Sequence, residues 1–352
     1  MKKYKFTRIN KEDYNLNVYE ELPLFRYRSP SEQNFDALLK NEFWMSRADS
    51  FNDPYDSSFV VDIGELSKYT ENKIEKNVLL NYATEINLKT KNIKKISKAW
   101  VENTYWQNVN SMKHIALVAC LSEKNNNEVM WAHYAQNGEG FCVEYYYIDI
   151  FNIKKRYCND FKQQSINIYS KSPELSFYYD LVKNIKYDDF SQYKLSKVIY
   201  SNDKYNFTAF NKKYIDMLSG LSEMNLSEMY QKSIELGMSE NLKIKDRASD
   251  TIYFAKNKIW KYESEWRFIL PSMPLEVALD SGKHKCVQYI KPRAIYIGEF
   301  AKLTTRIAIY AYCFNNKVEL YEMHSVLLNN SLKLKPKKIK ERKIAEFLGI
   351  KN

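Results

Sequence analysis

The chain has 352 residues, enough for one large domain or two ordinary ones, and 45% of them are apolar against only 8 Gly and 8 Pro. That balance excludes a disordered or linker-rich chain, and no apolar run nears the roughly 18 residues that a membrane span needs. Lys and Arg number 54 against 43 Asp and Glu, a net charge of +11, and seven of the bases fall in residues 333–343 beside one glutamate, Glu341. The remaining body is therefore only mildly basic.

The opening residues "MKKYKFTRINKEDYN" lack the apolar core of a secretory signal, so a soluble, cytoplasmic protein is expected. Residues 24–29, "LFRYRS", alternate as a short strand does, and "SEQNFDALLKNEF" places Phe35, Leu38 and Leu39 at helical spacing. "FWMSRADSFNDPYD" reads as a second strand ending in an Asn52-Asp53-Pro54 turn. Residues 64–113 are helical and rich in Lys and Glu, with Trp100 and Trp106 expected inside.

"IALVACLSE" (115–123) predicts a buried strand, "VMWAHYAQNG" a helix, and "GFCVEYYY" a strand, with Gly138 and Gly140 marking the helix exit. Residues 151–195 have no readable period. "KVIYSN" predicts a strand and 207–250 a second helical insertion. The last third is strand-rich ("WRFILP", "CVQYI", "RAIYIGEF", "KVELYEMH") and contains one helix, "TTRIAIYAYCF". The pattern predicts an α+β fold: one domain over 1–332, helical insertions near 64–113 and 205–250, and a basic tail over 333–352.

The five cysteines are too dispersed for a disulfide framework or a zinc knuckle, and the four histidines show no metal-ligand spacing. No phosphate-binding Gly loop and no Gly-x-Ser-x-Gly elbow is present. Attention falls instead on "KYESEWRF" (261–268). Read as a continuous strand, it puts Glu263, Glu265 and Arg267 on one face, either as an exposed ion-pair ladder or as an aimed carboxylate pair.

Four stretches carry more polar detail than packing needs: "LFRYRS", "FWMSRADSFNDPYD", "CLSEKNNNEVMWAHYAQNGEGFCVEY" and "KNKIWKYESEWRF". Together, over roughly residues 24–300, they resemble a widespread bacterial family, domain of unknown function 2971. That resemblance implies no activity. The order of elements also resembles the split-sheet catalytic core of ADP-ribosyltransferases of the arginine-serine-glutamate type, which split NAD at the nicotinamide–ribose bond. This second resemblance implies an NAD substrate and a macromolecular acceptor, protein or nucleic acid. It casts Arg26, with Arg28 as rival, as the NAD anchor and Ser122 as a wall of the nicotinamide pocket. It casts Glu265 as the group that stabilises the oxocarbenium charge, with Glu263 orienting the acceptor. Trp131, His133 and Tyr134 would contact nicotinamide or adenine. Ser122 departs from that family's Ser-Thr-Ser triplet, being followed by Glu123 and Lys124. Such an activity inside a cell would suit a toxin or a phage-defence effector. The alternative is a nucleic-acid-binding protein or metal-dependent nuclease, with Glu263, Glu265, Asp53 and Asp56 around a metal and the basic tail on a polyanion.

Overall fold

A computed structural model describes residues 21–114, 116–153, 195–202, 206–219, 252–271 and 285–350. In chain order it contains β1 (Pro23–Arg28), α1 (Glu32–Leu39) and β2 (Glu42–Arg47), then α2 (Ile63–Lys73), α3 (Lys76–Glu85) and α4 (Ile93–His114). β3 (Ala116–Ser122), α5 (Glu128–Tyr134), β4 (Phe141–Tyr146), β5 (Leu195–Lys197), β6 (Ile199–Tyr200) and α6 (Thr208–Ser219) follow. The last part comprises β7 (Ala255–Lys256), β8 (Glu265–Pro271), β9 (Lys285–Tyr289), β10 (Ala294–Ile297), α7 (Leu303–Asn316), β11 (Glu319–Leu328), β12 (Ser331–Ile339) and α8 (Glu341–Phe347). The mixture of helices with a mixed sheet is the α+β class expected. No described helix is long and apolar enough to cross a membrane.

Among the described residues ten strands share one sheet, ordered β12-β11-β10-β4-β1-β3-β2-β9, with β8 on the other edge of β3 and β5 beyond it. β3 is its hinge. One edge of β3 pairs with β8 along its whole length, from Ala116↔Pro271 to Ser122↔Glu265. The opposite edge pairs with β1 only at Phe25↔Ser122 and with β2 only at Ser46↔Val118 and Arg47↔Leu117. Among the described residues, 119–121 have no strand partner on that edge, so the sheet forks: β1 leads into one arm through β4, and β2 leads into the other through β9.

The main core lies on the face that carries Leu24, Leu121, Val143, Phe268 and Ile297, and α7 covers it with Ile309, Tyr310 and Tyr312. Deep burial of such side chains contributes about 1.5–3 kcal/mol each. The two sequence-distant helical insertions meet: Ile215 of α6 is buried with Leu66, Leu79 and Ile96 of α2–α4. Lys212 also reaches Glu65 at 2.6 Å and Tyr69 donates to Asp216 at 2.7 Å. Trp100 packs partly buried against this helical core, but Trp106, expected inside, is 60% exposed. Residues 220–250 of the second insertion lie outside the described residues.

Two further expectations change. The run 261–268 is not one strand. Residues Lys258–Glu263 form a 3-10 turn, Ser264 adopts a left-handed conformation (φ 46°), and β8 begins at Glu265. The basic segment does not simply trail from a domain that ends at residue 332: residues 333–339 lie within β12, paired to β11 from Leu320↔Ile339 to Leu328↔Ser331.

Candidate functional site: a cleft at the fork

A cleft of about 330 Å³ opens where β1 parts from β3, lined by Arg26, Arg28, Cys120, Tyr134, Lys256 and Glu265 among others. Its position follows from register. Phe25, Ser122 and Glu265 are direct partners across three adjacent strands and share one face of the sheet. Alternation puts Arg26 and Arg28 on the other face, so an intact sheet would separate them from Glu265. Both arginines nevertheless line the cleft, which also takes in Cys120 and Leu121 of the stretch left unpaired on that edge.

Neither arginine has a carboxylate partner among the described residues. The Arg26 guanidinium lies 4.9 Å from the Phe43 ring centroid, and its Nη1 is buried without a hydrogen-bond partner. Burial, then the neighbouring charge of Arg28, lowers the Arg26 pKa to about 9, and burial lowers that of Arg28. Arg26 remains cationic at neutral pH. The backbone at the end of β1 lies close against Gly140, where an added Cβ would lie 2.1 Å from the Arg28 carbonyl oxygen.

At the other end, three carboxylates meet two cations. Arg267 is fully buried and uses all five donors: Nε and Nη2 to Glu265 (2.8 and 3.2 Å), Nη1 and Nη2 to Asp56 (2.7 and 2.6 Å), and Nη1 to the Tyr253 carbonyl (2.6 Å). Lys256 Nζ, itself stacked 5.1 Å from the Trp260 ring, donates to Glu263 (2.5 Å) and Glu265 (3.0 Å) and lies 3.6 Å from Asp56. Burial alone would raise the Glu265 carboxyl, but the charges of Arg267 and Lys256 outweigh it and hold the pKa at about 2. Glu263 moves the other way: burial and then the negative charge of Glu265 raise it, against the pull of Lys256. The two glutamates differ because Arg267 serves only Glu265.

The expected site residues separate into two groups. Arg26, Arg28, Ser122, Tyr134, Glu263 and Glu265 all line the cleft. Ser122 does so with its hydroxyl already engaged, donating to the Glu263 carbonyl (2.7 Å) and accepting from the Lys124 N–H (3.2 Å), so it fixes the corner before β8. Tyr134 donates to Glu263 Oε1 at 2.7 Å. Trp131 is buried against Tyr27, with its indole N–H donating to the Asn125 carbonyl, and His133 is exposed, 6.4 Å from the Tyr262 ring; neither lines the cleft.

Asp53 accepts from the Tyr55 N–H at 2.9 Å, and Asp56 is taken by Arg267. Among the described residues no group of three or more His, Cys, Asp or Glu is disposed to hold a metal ion. Sequence reasoning missed Lys256 and Cys120. Cys120 hydrogen-bonds Glu265, and burial followed by that negative charge pushes its thiol well above the usual range. A Lys before Asn in "FAKNKIW" carries no periodic signal, and Cys120 reads as a core residue of an apolar strand.

α5 is set by its N-cap. Asn127 accepts from the Val129 and Met130 N–H groups and donates its amide to the Tyr262 carbonyl, tying the helix to the turn that bears Glu263.

Residues 130–268 match the model of a family described as "Protein of unknown function (DUF2971)". The match runs from Met130 in α5 to Phe268 in β8. It covers the Met-Trp-x-His-Tyr block and the Glu263/Glu265 turn, while Arg26, Arg28 and Ser122 lie before it. No curated protein and no solved structure matches the chain.

Proposed function

We propose that the cleft binds NAD and breaks its nicotinamide–ribose bond, passing ADP-ribose to a macromolecular acceptor. The observation that carries this reading is Arg26. A buried guanidinium nitrogen with no partner among the described residues, beside a second arginine with no carboxylate partner among them, is a prepared site for an anion, and a diphosphate matches the fork geometry of arginine. Glu265, ionised and pinned by Arg267 and Lys256, supplies the opposite end of the same cleft.

In the reaction, the C–N bond breaks with its electron pair going to the pyridinium nitrogen, which leaves as neutral nicotinamide. Positive charge develops on the ribose ring. A carboxylate already fixed in place stabilises that charge without reorganising, the usual source of the largest catalytic term. Glu263, more basic than Glu265, takes the proton that the acceptor nucleophile loses as it bonds to the anomeric carbon. Tyr134 and Lys256 hold the Glu263 carboxylate, and Ser122 acts as a positioning residue for the turn that bears it. Directed at a cell's own components, the activity would suit a toxin or phage-defence effector.

The test is nicotinamide release from NAD, with and without cell lysate to supply acceptors, for the wild type, Glu265→Gln and Arg26→Met. Glu265→Gln is expected to lower the rate about 10²–10³-fold, the size of a lost preorganised electrostatic contact. Arg26→Met, which breaks no ion pair, is expected to raise KM with the fold intact. Absence of both NAD binding and release in the folded wild type overturns the reading. Mg²⁺-dependent cleavage of nucleic acid in its place would assign the carboxylates to a nuclease.

A further inference from the structure

The hairpin β11–β12 projects from the sheet. β10 pairs with β11 only from Ala294↔Glu319 to Ile297↔Glu322, whereas β11 and β12 stay paired as far as Leu328↔Ser331. The last six residues of β11 therefore form a two-stranded ribbon with β12. It is closed by Asn329 and Asn330, both at positive φ (46° and 60°), the two-residue turn that matches strand twist. Ser325 tethers its base by donating through its N–H and hydroxyl to Glu299, at 3.0 and 2.6 Å.

Lys333, Lys335 and Lys337 occupy alternate positions of β12, so they form a rank on one face at intervals of about 6.8 Å. All three are exposed, and none has a carboxylate partner among the described residues. The acid nearest in register, Glu322 opposite Lys337, is bound by Arg306 and Tyr310. Lys338, on the opposite face, is paired to Glu319 at 2.6 Å. The rank thus keeps its charge available.

We infer that this ribbon is a binding surface for duplex DNA, with the lysine rank on the phosphates. A two-stranded ribbon fits the major groove of B-form DNA, whereas the deep, narrow major groove of A-form RNA does not admit it. An anionic membrane fits less well. The exposed leucines at the tip, Leu327 and Leu332, are direct partners on the face opposite the lysines, so apolar and basic groups do not address one surface. The inference stands whether or not the cleft takes NAD.

Fluorescence anisotropy with a labelled DNA duplex, titrated at several salt concentrations, tests it. The comparison is between wild type, the triple variant Lys333→Gln/Lys335→Gln/Lys337→Gln, and a charge-matched control, Lys89→Gln/Lys91→Gln/Lys94→Gln, on exposed lysines at the start of the α4 region. The wild type and control should bind with affinity that falls steeply with salt. The ribbon variant should bind at least tenfold more weakly, with the slope of log K against log salt reduced by roughly 2–3. An unchanged thermal midpoint shows that the edge strand remains folded. No DNA binding, equal loss in the control, equal affinity for an RNA duplex, or binding only to anionic phosphatidylserine vesicles would each overturn the assignment.

Discussion

Replacing Arg267 by Met tests the charge cluster most directly. Methionine reaches about as far as the arginine Nε, so the stem's packing is kept while all five hydrogen bonds disappear. Asp56 and Glu265, 2% and 4% exposed, would be left with Lys256 as their shared cation. Breaking a buried pair by removing one partner costs about 3–5 kcal/mol, because the remaining charge cannot reach water. Here one arginine serves two carboxylates, which places the expected loss at the upper end, about 5 kcal/mol, against a total stability of about 5–15 kcal/mol for a typical domain. Urea denaturation followed by tryptophan fluorescence should show the midpoint collapse, and Arg267→Lys should recover only part of it, since an ammonium cannot make the bidentate contacts. A loss under about 1 kcal/mol, the size of an exposed pair, would refute the view that these ions are sealed from solvent.

Two other outcomes follow from the same geometry. The Glu265 pKa is held at about 2, down from 4.5, which corresponds to about 3 kcal/mol of stability present above pH 4.5 and lost as pH falls through the folded value; Asp56, also lowered, adds to it, and the raised Glu263 opposes it. Acid titration of the unfolding free energy should therefore decline between about pH 4.5 and 2, and a Glu265→Gln protein should decline less steeply. Gly140→Ala would press a methyl group onto the Arg28 carbonyl oxygen at 2.1 Å, and the strands must part to admit it. An expected loss of about 1–3 kcal/mol is measurable by thermal unfolding, together with weakened anion binding at Arg28.

Much of this site was legible in the sequence because it depends on local period and on order. Alternation in "LFRYRS" and the continuous apolar run of "IALVACLSE" placed β1 and β3, and the Glu265–Ser122 register pairs the last residue of β3 with the first of β8. What stayed hidden depends on long-range partners or on a break in period. Asp56 and Arg267 are 211 residues apart, and nothing near either residue announces the other. Ser264 interrupts the strand with a left-handed residue, which serine rarely adopts, so the period-two reading of 261–268 began four residues too early and put Glu263 on a strand it does not enter. It still reaches the same cations from the turn. Leu332 and Leu334 in "SLKLKPKKI" are the only hint that lysine-rich residues form a strand, and charge density masked it. The fork was the hardest feature to foresee, since an unpaired stretch in the middle of an apolar strand has the same composition as a paired one.

That stretch gives β3 two unlike edges. Successive amides of an antiparallel strand point alternately to its two sides. Those of residues 119–121 that face β8 sit in a continuous ladder, while those that face the fork meet no neighbouring strand among the described residues. Deuterium should therefore enter one apolar strand at two rates, alternating residue by residue. A ligand that fills the cleft would slow only the faster set, which makes the exchange pattern of a single strand a direct report on occupancy that needs no turnover.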